Sequence, residues 1–131
     1  MIVFFAARCT CNLGAVHLGR SEVTAAIADL EASCSVFVSL GYQTQIAETT
    51  RFLGSAQLIQ GNFETAEKYL EAAQLIYRTT GNLFGLATCA EQVGHLRHQQ
   101  ERQEEALVQF EFARRIFEKL KLQTEVQKCL Y

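Results

Sequence analysis

Two histidines have the clearest capacity for chemistry in this sequence. His95 and His98 lie three positions apart, a spacing that places both side chains on one face of a helix. Such a pair could ligate a metal ion or exchange a proton near neutral pH. A third ligand is not evident, because Cys89 lies six positions before His95 and points elsewhere. The pair therefore favours a polar binding contact or simple exposure to solvent, and we predict no metal site and no cofactor.

The five cysteines show no pattern of a reactive or metal-binding site. Cys9 and Cys11 would lie about 200° apart around a helix, which is poor geometry for a shared metal ion. No cysteine spacing matches a disulfide framework or paired C-x-x-C zinc ligands. We expect reduced, buried thiols in a cytoplasmic protein, since disulfides are rare in that compartment.

Sequence motifs of catalysis are missing as well. The chain contains no phosphate-binding G-x-x-x-x-G-K, no G-x-S-x-G nucleophile motif and no H-E-x-x-H zinc motif. Its carboxylates fall mostly at positions where solvent is expected. We predict that the protein is not an enzyme.

The composition narrows the choice of partners. Hydrophobic residues make up 49% of the chain and charged residues 20%, which is an ordinary balance for a globular domain. The formal net charge is −2 and no basic stripe is present, so nucleic acid is not an expected partner. No apolar run approaches the roughly 20 residues that span a bilayer, so we expect no membrane partner. The length of 131 residues fits a single domain, 1–131.

A repeat of 40 residues organises the chain. Glycine recurs at this interval, at Gly14, Gly54 and Gly94. Twelve positions after each glycine the sequence has an alanine, at Ala26, Ala66 and Ala106. A glycine inside a helix costs about 1 kcal/mol relative to alanine. Its recurrence therefore indicates a place where two helices pack too closely for a Cβ atom.

Each repeat unit is predicted to be two helices joined by a tight turn, because apolar residues recur at helical spacing on both sides of the turn. Gly41 and Gly81 separate the units where left-handed helix C-caps are expected, whereas the third boundary has no glycine. The predicted units cover about 3–40, 43–80 and 83–120, with a partial fourth unit over 123–131. That last segment would form a short C-terminal helix whose apolar residues cap the third pair, namely Val126, Leu130 and Tyr131.

The second unit carries the clearest family pattern, LGSAQLIQGNFETAEKYLEAAQLIY from Leu53. Its order of L-G, a turn, A-x-x-x-L and a small residue resembles the tetratricopeptide repeat (TPR). The other units depart from it, since Ser21 and Glu101 replace the turn glycine Gly61, and no unit keeps the motif's early tryptophan or closing proline. The period of 40 exceeds the usual TPR length of about 34, so armadillo and HEAT repeats are the rival families.

The resemblance implies an all-α, TPR-like right-handed α-solenoid of three antiparallel helix pairs plus a short C-terminal helix. The first helices of the pairs would line a concave groove that binds a protein or peptide ligand without catalysis. Alignment with the family places these residues in the groove: Arg8, Cys11, Leu18, Glu48, Arg51, Ser55, Leu58, Glu91, His95 and His98.

Two other functions remain open at this point. Long-period TPR variants occur in peptide receptors and in the partner-sensing arrays of signalling NTPases, so the chain could be a fragment of such a protein. It could instead be a structural module that self-associates through its apolar end helices. The start MIVFFAA motivates this second alternative, because the outer helix of a repeat array normally presents a polar face to water.

Overall fold

The computed structural model describes residues 1–130, with side chains described for 1–121 and 123. Within these residues the chain forms helices joined by turns of two or three residues. Such short connections make neighbouring helices antiparallel. The helices are α1 (Ile2–Gly19), α2 (Val23–Leu40), α3 (Gln43–Ile59), α4 (Phe63–Thr80), α5 (Leu83–Gln99) and α6 (Gln103–Leu130).

The order of helix contacts produces an all-α solenoid. Each helix packs against its neighbours in the sequence, and α3 also touches α1 and α5. In the part of the chain that is described, the backbones of the even-numbered helices do not approach one another within 8 Å between Cα atoms. The array therefore curves, with α1, α3 and α5 converging on the inner side and α2, α4 and α6 spread on the outer side.

Each turn between consecutive helices contains one residue in the left-handed conformation. Gly41 and Gly81 cap α2 and α4 at φ of 75° and 72°, which confirms the predicted C-caps. Gly61 has the same sign of φ in the turn inside the second pair. Ser21 and Glu101 occupy the equivalent turn position at φ of 61° although neither is glycine. The turns inside the first and third pairs therefore keep the same geometry without a glycine.

The glycine column marks close helix contacts, as the sequence predicted. A Cβ atom on Gly54 would lie 2.9 Å from two carbons of the Leu70 side chain. The same contact joins Gly14 to Leu30 at 2.9 Å and Gly94 to Phe110 at 2.7 Å. The alanines twelve positions on are buried in the second helix of each pair, at Ala26, Ala66 and Ala106. These small residues leave space between the paired helices, which a leucine side chain or a phenylalanine ring fills.

The C-terminal helix differs from its prediction. α6 runs without interruption from Gln103 to Leu130. The prediction instead ended the second helix of the third pair near residue 120 and began a separate short helix at residue 123. The reason is visible in KLKLQ (119–123), which has no glycine to adopt the left-handed cap and consists of residues that favour helix. Val126, Leu130 and Tyr131 lie outside the described side chains, so the partial fourth unit stays a prediction.

The first two helices are more apolar than we expected from the sequence. α1 and α2 are each 18 residues long and are apolar enough, by length and composition, to cross a membrane. This corrects the expectation that no apolar segment approaches that length. In the structure the two helices pack against each other, and α2 packs against α3. Buried core helices of globular proteins meet the same criteria, but only 17% and 22% of these two helices are buried. The absence of a membrane partner stays a prediction.

Candidate functional site

A groove of about 400 Å³ crosses the inner side of the solenoid. Side chains from α1, α3 and α5 line it together, so it exists only because three separate helix pairs stack side by side. Five of the predicted binding residues are brought together here: Leu18, Arg51, Ser55, Leu58 and His95. The remaining lining residues are Ala15, Gly19, Phe52, Ile59, Gln92 and Gln99.

Helical spacing explains how α3 contributes the centre of the groove. Arg51, Ser55 and Leu58 follow one another at intervals of four and three residues, which places them on one face of the helix. Leu58 is buried and forms part of the apolar floor, whereas Ile59 beside it is 54% exposed. The groove therefore offers an apolar surface that is still accessible to a ligand.

Arg51 supplies the positive charge of the groove. Its guanidinium lies 4.6 Å from the ring centroid of Phe52, in cation–π contact. Its Nε donates a long hydrogen bond of 3.5 Å to the hydroxyl of Tyr77. Burial raises the pKa of Tyr77, although Arg51 opposes that rise, so the acceptor is a neutral phenol. No salt bridge to Arg51 is present among the described residues, although the negative charge of Glu48, three positions earlier on α3, acts on Tyr77 together with the positive charge of Arg51.

Polar side chains from α5 form the opposite wall. Gln92, His95 and Gln99 share one face of that helix at intervals of three and four residues. The His95 ring also packs edge-on against Phe110, with 5.1 Å between the ring centroids. This contact holds the imidazole at the rim of the groove, where its ring nitrogens are available for hydrogen bonds.

Three other predicted residues gather in a smaller cavity of about 100 Å³ between α1 and α3. Arg8, Cys11 and Glu48 line it together with Phe37. Burial raises the pKa of the Cys11 thiol to about 11, and the negative charge of Glu48 adds to the rise. Cys11 is therefore a protonated core residue rather than a reactive one.

The last two predicted residues lie away from the groove. Glu91 lines a separate cavity with residues of α6. His98 is exposed, and its Nδ1 lies 2.8 Å from the side-chain oxygen of Gln103 at the start of α6. His95 and His98 therefore face different neighbours. Across the described residues, no group of three or more His, Cys, Asp or Glu side chains is arranged to hold a metal ion.

Comparison with known proteins agrees with this geometry. The family profile of the tetratricopeptide repeat matches residues 45–119, more than half of the chain. The chain belongs to the tetratricopeptide-repeat family. The TPR domain of Arabidopsis FLU has a similar structure, with a TM-score of 0.74 over 88% of this chain and 95% of that one. The sequence identity is 17%, so this likeness concerns the fold. A search of curated protein sequences finds no match.

Membership of the family assigns a general role. TPR domains are helical repeat scaffolds for protein interactions and are generally noncatalytic. The buried cysteines of this TPR domain fit that description, since burial raises the pKa of the Cys89 thiol to about 12 and leaves it a poor nucleophile at neutral pH.

Phe52 and Gln92 are among the lining residues of the TPR groove that sequence reasoning did not predict. Phe52 and Gln92 occupy the same position in successive 40-residue units, directly after Arg51 and Glu91. Their shared register was the available signal. The apolar character of Phe52 suggested a core position instead, and the structure places its ring half-buried beneath Arg51.

Proposed function

We propose that this TPR domain binds a segment of a partner protein in the groove between α1, α3 and α5. The segment would place an apolar side chain on Leu58 and Ile59 and a carboxylate on Arg51. One observation carries the proposal, namely that an arginine without an acidic partner among the described residues stands beside an accessible apolar floor. Recognition of this kind requires no catalytic group.

The energetics favour such a two-part ligand. Burying one leucine-sized or phenylalanine-sized side chain contributes about 1.5–3 kcal/mol. An arginine can hold a carboxylate through two parallel hydrogen bonds, which adds orientation as well as affinity. Arg51 is already positioned by Phe52 and Tyr77, so binding loses less side-chain entropy than it would at a free arginine.

The polar wall fits the backbone of the ligand. The peptide groups of an extended segment can form hydrogen bonds with Ser55, Gln92, His95 and Gln99. Since Ser55, Gln92 and Gln99 are uncharged, this wall favours a polypeptide over a phosphate-rich ligand. A protein or peptide partner is therefore proposed, and nucleic acid is not.

A displayed library of random peptides tests the proposal. We expect the enriched peptides to combine an acidic residue with a neighbouring large apolar residue. Fluorescence polarisation of one enriched peptide should show binding weakened by about tenfold or more in Arg51→Glu, and less in Arg51→Lys, which keeps the charge but not the planar fork.

Two further variants make the result specific. Ile59→Asp should weaken the same peptide, because it places a charge on the apolar floor. Leu75→Asp serves as the control, since Leu75 is similarly exposed but lies on α4, outside the groove. A peptide bound equally well by Arg51→Glu and Ile59→Asp would show that the groove is not the binding site.

The wider context is also proposed rather than observed. A partner-sensing array of a larger signalling NTPase or peptide receptor would use the same groove, and a cytoplasmic location agrees with the abundance of thiols. Sequencing of the neighbouring gene region tests the first of these, and imaging of a tagged full-length chain tests the second.

A further inference from the structure

The outward face of α1 is apolar and uncovered by any other described helix. Leu13 is 55% exposed, whereas Leu53 and Val93, at the same position of the next two units, are 3% and 8% exposed. The equivalent residues of α3 and α5 are buried because α2 and α4 pack over them. The exposed apolar residues of this face are Phe5, Leu13 and Val16, and we call it the α1 face. Ile2 and Val3 are also exposed but line a cavity with residues of α2.

The other end of the solenoid has a matching surface. A cavity of about 320 Å³ opens between α5 and α6, with Phe110, Ala113 and Phe117 along its apolar side. The charged residues that line it are Glu91, Arg114, Glu118 and Lys121. We call this surface the α5/α6 face. Its counterpart in the second unit contains Leu70 and Tyr77, which are buried against α5. The α5/α6 face thus presents the kind of surface that already receives a first helix within the chain.

The internal junctions show which side chains would meet across such a contact. Where α3 follows the first pair, Cys11 and Glu48 line the same cavity. At a contact in the same 40-residue register, the corresponding residues are Glu91 on the α5/α6 face and Arg8, which lies beside the α1 face and lines the cavity that it shares with Glu48. These two charges are opposite. Neither residue forms a salt bridge among the described residues, and Arg8 lies over the ring of Phe5.

The aromatic residues at the junction are compatible with this register. Phe5 corresponds to Gln45, which shares a cavity with the Phe37 ring at the first junction. It also corresponds to Gly85, where the Tyr77 ring leaves no room for a Cβ atom. The junction between the first and second pairs therefore accommodates a side chain at the position of Phe5, whereas the junction between the second and third pairs does not.

We propose that copies of this chain join head to tail, with the α1 face of one copy on the α5/α6 face of the next and Arg8 against Glu91. The contact repeats the internal junctions, so α1 of the added copy extends the inner row formed by α1, α3 and α5. It joins two different surfaces and leaves one of each free at the ends. Such a heterologous contact builds open chains rather than closed dimers. This inference is independent of what the groove binds.

Charge reversal on the full 131-residue chain tests the pairing. In sedimentation velocity at low ionic strength, the wild-type mass should rise with concentration beyond that of a dimer. Arg8→Glu and Glu91→Arg should each weaken self-association by about tenfold or more, because each brings two like charges together. An equimolar mixture of the two variants should associate again, since every mixed junction then joins opposite charges. The double variant, with both charges reversed, should also recover.

Two apolar-to-acid variants complete the experiment. Leu13→Asp should abolish association, whereas Leu75→Asp, equally exposed on α4, should leave it unchanged. Circular dichroism checks that each variant is folded. The proposal is overturned if the wild type stays monomeric at several hundred micromolar, or if Leu13→Asp associates normally. It is also overturned if Leu13→Asp prevents association while Glu91→Arg has no effect, because that result indicates a symmetric dimer through α1 alone.

Discussion

Gly54→Ala is expected to destabilise this protein even though alanine is the better helix former. The added Cβ would lie 2.9 Å from Cγ and Cδ2 of Leu70, well inside the optimum carbon separation of about 3.5–4.0 Å. Leu70 is completely buried, so it can move away only by displacing other close-packed side chains. Overpacking of this kind costs about 1–3 kcal/mol, and the gain in helix propensity offsets about 1 kcal/mol. We expect a net loss of about 1 kcal/mol in the free energy of unfolding.

Urea unfolding followed by circular dichroism measures this loss. The matched control is Gly19→Ala, near the end of α1, where a Cβ would meet no atom within 4 Å. That substitution should be neutral or stabilising by up to about 1 kcal/mol. The dependence of the unfolding free energy on urea should stay the same in both variants, since a changed slope would indicate loss of two-state behaviour in the repeat array.

A second background decides whether Leu70 is the cause. Leu70→Ala alone should cost about 2–5 kcal/mol, because it opens a cavity in the core. In that background Gly54→Ala should become stabilising, since its methyl group enters empty space and its propensity gain is no longer opposed. If Gly54→Ala destabilises both backgrounds equally, the close contact with Leu70 is not the reason for the glycine, and the explanation of the repeated column is refuted.

The remaining predictions concern a turn, an ion pair and the thiols. Glu101→Gly should raise the unfolding free energy by about 1 kcal/mol in urea titrations. Glu101 has a left-handed conformation, which costs about 1–2 kcal/mol in any residue other than glycine. The hydrogen bond from Arg97 lowers the pKa of Glu67 below its usual 4.5. The ion pair between Glu67 and Arg97 therefore stabilises the folded state by about 1 kcal/mol above pH 4.5, and this stabilisation is lost as the pH falls through the lowered pKa of Glu67. Glu67→Gln should accordingly be less stable than wild type at neutral pH, and the difference should vanish in acid; a difference independent of pH would contradict this. Mass spectrometry after brief labelling with a thiol reagent should find Cys9 modified and Cys89 protected, and labelling of native Cys89 would argue against its burial.

Much of the fold follows from residues that recur in the sequence. The spacing of Gly14, Gly54 and Gly94 predicted helix pairs in close contact, and the structure places a large apolar side chain against each. Gly41 and Gly81 predicted the helix ends because a left-handed cap favours glycine. The continuous α6 was not predicted, because we placed a helix boundary at 119–123 although that segment has no glycine.

The groove was predicted only in part, and for a different reason. Alignment identified the positions that face inward in each first helix, but it treated the three units alike. The structure brings Leu18, Arg51 and His95 into one groove, while Cys11 lies in a smaller cavity. Glu91 faces α6, although it occupies the same register as Arg51. Equal register therefore did not mean equal surroundings.

The amino-acid sequence by itself determined the repeat, the pairing of helices and the positions of the turns, because these depend on contacts between residues close together in the chain. Only the tertiary structure decided which inward positions share a groove and which apolar faces stay uncovered. The stacking of successive helix pairs sets these relations, and small rotations between pairs accumulate along the array. Leu13 and Leu53 illustrate the point, since the same residue at the same register is exposed in α1 and buried in α3. The difference comes from the helix that packs over one and not over the other.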